Sequence, residues 1–406
     1  HGRITDGATA TSLVKAGTGT QILSNNTGIA SNYTGTTDIN GGVLELQSTN
    51  GFFGLSSNVH NINNGSTLRF SVNGGNGYIL DATDTINFGS SGGGLMDAAS
   101  GNFVVRGSTI TTTGGAENTI QGSFNMDQSG PVTFNVADGT DASDLTVSST
   151  ISSQGSILKS GSGTMTLTGA NTYTGASTVN GGVLELNESD NTYHGGAINI
   201  NNGATLRMSN QTGAYLFGND SFNFGSNGGG TYEIVGGHNH VWSSNNTVTT
   251  NGGSENTITG SSINTNSGGS AGTITFNVAD GTGASDLTVS SIISNQGSIL
   301  KSGSGTMKLT ANNTYTGTTT VSEGTLIING DHSAATGAVN VGGGILDATL
   351  AGSGTLGGTT TIGANGFLSP GNSPGTQTFD NLTWVNSGTY LWEINADLAS
   401  GGGEGV

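Results

Sequence analysis

Two short stretches hold residue types able to do chemistry. Asp138, Asp141 and Asp144 lie three apart in "ADGTDASD", residues 137–144. Several carboxylate oxygens on one turn suit a hard cation such as Ca2+. The same spacing suits Asp side chains that cap turns through backbone N–H groups. A later copy of the stretch keeps Asp280 and Asp286 but carries Gly283 where Asp141 stands, which favours capping. His238 and His240 lie two apart in "GGHNHVW", residues 236–242. On a strand such a pair shares a face and could share a metal. No third ligand is identifiable, so two surface histidines are the competing reading. Trp242, Tyr232 and Tyr193 are placed on side loops, where their rings would offer a stacking surface to a sugar or a partner.

Enzyme signals are weak. The chain has no HExxH, no nucleophile elbow and no phosphate-cradling loop that runs into a helix. A β-helical polysaccharide-cleaving enzyme would need clustered carboxylates, or a basic residue beside Ca2+. The basic residues here number only eight. Lys159 and Lys301 occupy matching places in duplicated text, as do Arg69 and Arg207. Residues duplicated with their surroundings are better explained by shape than by catalysis, and no enzymatic activity is expected.

Composition narrows the class. Gly accounts for 74 of 406 residues and charged residues for 8%. Yet Val, Ile, Thr and Leu recur in short orderly runs, which disordered chains lack. A net charge of -18 repels phosphate backbones, so nucleic acid is not an expected partner. The absence of Cys excludes disulfides and thiolate metal sites. No run of about 18 apolar residues could form a membrane-spanning helix in this chain.

The elements that would carry such residues are written more than once. "FNVADGTDASDLTVSSTISSQGSILKSGSGTM" begins at Phe134, and "FNVADGTGASDLTVSSIISNQGSILKSGSGTM" begins at Phe276. "NINNGSTLRF" at Asn61 returns as "NINNGATLRM" at Asn199. Repeats of about 140 residues follow, two full and one partial, with bounds at 1–156, 157–298 and 299–406. Within each, a Gly- or Asn-rich turn precedes four to six residues of alternating polarity, as in "GGVLEL" and "NNGATLRM". Period-two alternation predicts strands with one buried face, and Gly and Asn supply the turns. Many short strands at a coil-like period of ~22 residues predict an all-β parallel β-helix, one continuous solenoid roughly 90 Å long. A β-propeller is the lesser alternative, because the inner beats are irregular.

Residues 161–184, "GSGTMTLTGANTYTGASTVNGGVL", and residues 303–326 resemble the autotransporter-associated β-strand repeat, also called the passenger-associated transport repeat. That family's pattern is G-x-G-T-L-x-L-x-G-x-N-x-Y-T-G-x-T-x-V-x-x-G-x-L. A looser copy spans Gly17 to Leu44, with Ile22 at an apolar position. The stretch from Gly354 to Trp384 is similar to segments that close such repeat blocks. The resemblance implies a right-handed parallel β-helix, exported and displayed at a bacterial cell surface. The family motif is structural and carries no catalytic residues to transfer. Its repeated glycines are read here as coil corners, Met165, Leu167, Val179, Val183 and Leu186 as inward-facing, and Tyr173 as covering a turn with its hydroxyl in water.

The leading expectation is a structural, extracellular rod or fibre segment. Neither end shows an obvious polar cap, so end-to-end self-association, or continuation in a longer parent chain, is expected. The alternative is an adhesin that binds glycans or neighbouring surfaces through its side loops. The third is a polysaccharide-acting enzyme.

Overall fold

A computed structural model describes residues 4–25, 33–48, 59–72, 79–127, 130–187, 196–209, 215–217, 221–242, 246–267, 270–371, 375–385 and 387–391. The architecture is an all-β solenoid of parallel strands. Among the described residues there is no helix long and apolar enough to cross a membrane.

One ladder of 18 strands runs the length of the chain. It starts at Leu13–Lys15, which pairs with Thr37–Ile39, and reaches Thr378–Trp384. Two of its strands, Asp331–His332 and Val339–Val341, both pair with Thr355–Ile362 and so share a rung. At ~4.8 Å per rung the ladder spans about 80 Å. Its pairing crosses residues 156/157, where Val132 faces Ile157, and residues 298/299, where Thr273–Val278 pairs with Ser298–Ser302.

The structural unit is the single coil. Its length runs from 20 residues, Ile157 to its partner Ser177, up to 28, Thr247 to its partner Thr275. A second set of parallel pairings forms the other walls. The strand Asn118–Met126 shows how the wall bends. Its first half pairs with Leu145–Val147 and its second half with Thr150–Ser152. The bend falls at Gly122, which has φ 103°, and a Cβ there would lie 2.2 Å from the Ala98 carbonyl oxygen. No L side chain fits such a backbone so close to its neighbour. Gly260 makes the same bend in Asn256–Asn264.

Alternation sets what faces inward. Leu44, Leu68, Met96, Ile120, Val147, Leu167, Leu186, Met208 and Ile234 form one register-paired column through nine rungs, all buried. Each such side chain contributes about 1.5–3 kcal/mol by leaving water. Rings stack along the same axis. Phe70, Phe103, Phe124 and Phe134 follow one another at centroid distances of 4.7, 5.7 and 6.3 Å. Outward-facing amides and carboxylates form their own ladders, such as Asn87 Nδ2 to Asn61 Oδ1 at 2.9 Å and Asn61 Nδ2 to Asp38 Oδ1 at 2.6 Å.

Candidate functional site

The densest polar construction in the molecule is built three times. Lys159 sits at an inward position of the strand Ile157–Ser160, paired below Phe134. Its stem is buried, and its Nζ donates to the carbonyl oxygens of Ser160 (2.9 Å), Gly161 (3.0 Å) and Gly181 (3.0 Å). Gly161 and Gly181 belong to the corners of successive coils, so one ammonium ties two turns together. Lys301 does the same with Ser302 (3.0 Å), Gly303 (2.6 Å) and Glu323 (3.0 Å). Lys15 repeats it with Ala16, Gly17 and Gly41. Burial pushes the Lys159 amine down to about 8, against the pull of Asp144. Burial likewise brings Lys301 to about 8, against Glu323 and Asp286.

Backbone geometry explains the glycines beside each clasp. Gly182 has φ 60°, and a Cβ on it would lie 2.3 Å from the Gly163 carbonyl oxygen. Its counterpart Gly324 also has positive φ. The residue before it is less constrained, since a Cβ on Gly181 would meet nothing nearer than 3.1 Å. Glu323 occupies that place in the third copy, donating only its carbonyl to the clasp.

Three further polar groups close each of these coils. Asn171 Oδ1 accepts the Ile151 N–H at 2.9 Å while its Nδ2 donates to the Gly169 carbonyl. Tyr173 is fully buried and its hydroxyl lies 2.7 Å from Ser177 Oγ. This corrects the expectation of a hydroxyl in water: the small Ser177 one turn away leaves it a partner inside. Tyr33 with Thr37, and Tyr315 with Thr319, repeat the contact.

The aspartates divide by role. Asp144 is buried; its Oδ1 accepts the Gly139 N–H at 2.6 Å and its Oδ2 the Thr164 N–H at 2.7 Å. Asp286 accepts Gly281 and Thr306 N–H groups in the same way, each at 2.7 Å. Asp141 is exposed and accepts the Glu117 N–H at 2.7 Å. Asp138 is exposed too. The three are therefore not brought to one point: Asp144 turns in to its corner while the other two face water. Among the described residues no group of three His, Cys, Asp or Glu could hold a metal ion. The arginines lie in carboxylate ladders, Arg207 between Glu185 (3.3 Å) and Glu233 (2.6 Å), and Arg69 beside Asp97 (2.8 Å).

The aromatic candidates move inside. Tyr232 and Trp242 are fully buried, so neither offers a surface for binding. Trp242 stacks on Phe222 with centroids 4.8 Å apart. The cause is an irregularity in the strand Thr231–Trp242: pairing with the next coil jumps between Ile234 and Asn239, and the extra residues swing His240 and Trp242 into the core. His240 Nδ1 lies 2.8 Å from the Tyr232 hydroxyl. The side chain of His238 and the whole of Tyr193 lie outside the described residues. The exposed rings are Trp384 and Tyr390, 6.2 Å apart on the last described coil, which sequence reasoning did not single out.

The three clasped coils coincide with three matches to one family model. Residues 13–46, 157–186 and 299–328 match the passenger-associated-transport-repeat family. The chain carries three passenger-associated transport repeats. Each one contains the buried lysine, the paired glycine corners and the buried tyrosine described above. A segment of 101 residues, 24% of this chain, is 45% identical to the adhesin BmaC autotransporter of Brucella suis biovar 1 (strain 1330). It covers about 3% of that protein's length. No solved structure matches the chain.

Proposed function

We propose that this chain is part of the β-helical rod of an exported bacterial passenger protein, displayed at the cell surface, and that its work is structural. One observation carries it. The most elaborate polar cluster, the lysine clasp, appears in all three transport repeats, and in each its donors are spent on the backbone of the neighbouring coil. Such a cluster sets the distance and angle between coils. The similarity to part of an autotransporter adhesin supports the same setting. Rods of this kind stack end to end through the unpaired edges of their terminal strands.

Negative-stain electron microscopy over a concentration series tests both levels. Rods of about 80 Å support the spacer role, and longer filaments add self-association. Round particles would sink the rod.

A second reading, adhesion, is favoured by the exposed Trp384–Tyr390 pair, which has the amphipathic rings that sugars stack on. Glycan-array binding lost in Trp384→Ala and Tyr390→Ala, with the fold retained, would support it. Binding unchanged in both would remove it.

A further inference from the structure

We infer that the solenoid carries an acid-release device: two imidazoles sealed in the core, His60 and His332, which loosen the coils around them when protonated. Each lies one coil beyond a transport repeat, His60 after the first and His332 after the third.

His60 faces inward between Thr37 on the preceding coil and Ile86 on the following one. It is fully buried, and neither ring nitrogen has a hydrogen-bond partner. The charged groups on the packed elements do not serve it. Asp38 points outward and is held by Thr36 Oγ1 and Asn61 Nδ2. Asp84, buried at the corner before the next strand, accepts the Asp81 N–H at 2.8 Å. Lys15, two coils back and inward-facing, has the same sign as an imidazolium. Across the core, Glu45 and Arg69 face each other on the outer side of their strands. A proton on His60 would thus be a buried charge with no counter-ion, which folded proteins avoid by opening or by staying neutral.

His332 is sensitive for a different reason. Its Nε2 lies 2.9 Å from Asn313 Nδ2 and 3.2 Å from the Ala311 carbonyl. The amide cannot be turned over, because Asn313 Oδ1 accepts the Ile293 N–H at 2.7 Å. The ring nitrogen therefore has to be an acceptor, and protonation sets donor against donor. Around it Tyr315, Thr319, Ile328, Ala335 and Val339 line a small cavity and bring no carboxylate. Asp331, the one acidic neighbour that raises the ring, is exposed.

The second repeat provides the contrast. Ser177 there occupies the place of Thr37, and the residue stacked beneath it is Ile198. The coil after that repeat has no imidazole at this position.

Burial brings both rings from 6.5 down to about 4. A base whose folded value is depressed stabilises the fold above 6.5, and that stability is lost as pH falls through 6.5 toward 4. At pH 5 the gap makes opening of each surrounding coil about 30-fold more favourable than at neutral pH.

Amide hydrogen exchange of the whole chain at pH 7.5 and pH 5.0, corrected for intrinsic rate, tests this. Protection in Thr37–Ile39, Val59–Ile62 and Thr85–Phe88, and separately around Asp331–His332, should fall about 30-fold. Protection in Ser177–Val179 and Ile198–Ile200 should not. His60→Ile installs the residue the second repeat already uses, and should abolish the loss in the first region alone. His332→Gln keeps an acceptor toward Asn313 without a titrating group, and should abolish it in the second. Equal protection at both pH values, loss spread evenly over all three regions, or a loss that survives these substitutions would each overturn the device. Either variant suffices if the other fails to fold.

Discussion

Replacing Lys301 by Met separates the two opposed energies of the clasp. Three donors vanish, leaving the carbonyls of Ser302, Gly303 and Glu323 without the ammonium. Hydrogen bonds from a charged donor contribute about 1.5–3 kcal/mol each, so the gross loss is about 4–9 kcal/mol. Against this, Met removes a buried charge. The amine lies at about 8 instead of 10.5, which corresponds to about 3 kcal/mol held against the protonated form in the fold. The net expectation at pH 7 is a destabilisation of about 2–5 kcal/mol. Its pH dependence has a definite sign. Below pH 8 both folded and unfolded chains hold the proton, and the gap between wild type and Lys301→Met is constant. Between 8 and 10.5 the unfolded chain binds more protons, so the wild type gains stability with pH and the gap widens by about 3 kcal/mol. Urea unfolding followed by far-UV circular dichroism at pH 7, 8, 9 and 10 reads this directly. A gap that closes above pH 8 would refute the reasoning, because it would mean that the ammonium is held by its carbonyls more strongly than burial opposes it.

Other substitutions test the corners and the core. Gly182→Ala meets a positive φ and a carbonyl at 2.3 Å, and should lower the urea midpoint strongly, whereas Gly181→Glu, the pairing found in the third repeat, should leave it nearly unchanged. Asp144→Asn places an amide donor against one of two N–H groups and should cost about 2–4 kcal/mol in chemical denaturation. If Asp138, Asp141 and Asp144 act as turn residues and not as calcium ligands, millimolar Ca2+ leaves the melting temperature of the wild type where it was. Trp242→Ala empties a stacked site beside Phe222 and should cost about 3–5 kcal/mol, with the loss read as stability and not as altered glycan preference.

The alternation in segments such as "TLRM" and "VLEL" is legible in the sequence because a strand with one wet face leaves a period of two. Both segments are strands with inward Leu and Met or Leu. The glycines of the repeats are legible as corners for the same local reason. Lys159 was not legible as a core residue. It stands at an inward parity in "ILKS", but nothing in a one-dimensional pattern reveals three carbonyls converging from two coils. Trp242 and Tyr232 were misplaced because an irregularity of a few residues between Ile234 and Asn239 resets parity, and its length is decided by the neighbouring coils. The burial of His60 shows the same limit: its place is set by Thr37 and Ile86, each more than 20 residues away.

The ladders also fix how the rod meets tension. Strands pair only with the coil before and the coil after, so the backbone hydrogen bonds point along the long axis. A pull on the two ends loads these bonds in series, and coils peel away one at a time instead of shearing together. Each release frees one coil of chain, from 20 residues in the transport repeats to 28 elsewhere. Extended, that is about 7–10 nm per event. The lysine clasps fall on the shortest coils, so the steps that release least length are also the ones riveted at the corner. Under load the molecule behaves as a ratchet of unequal teeth, with three stiff ones spaced along its length.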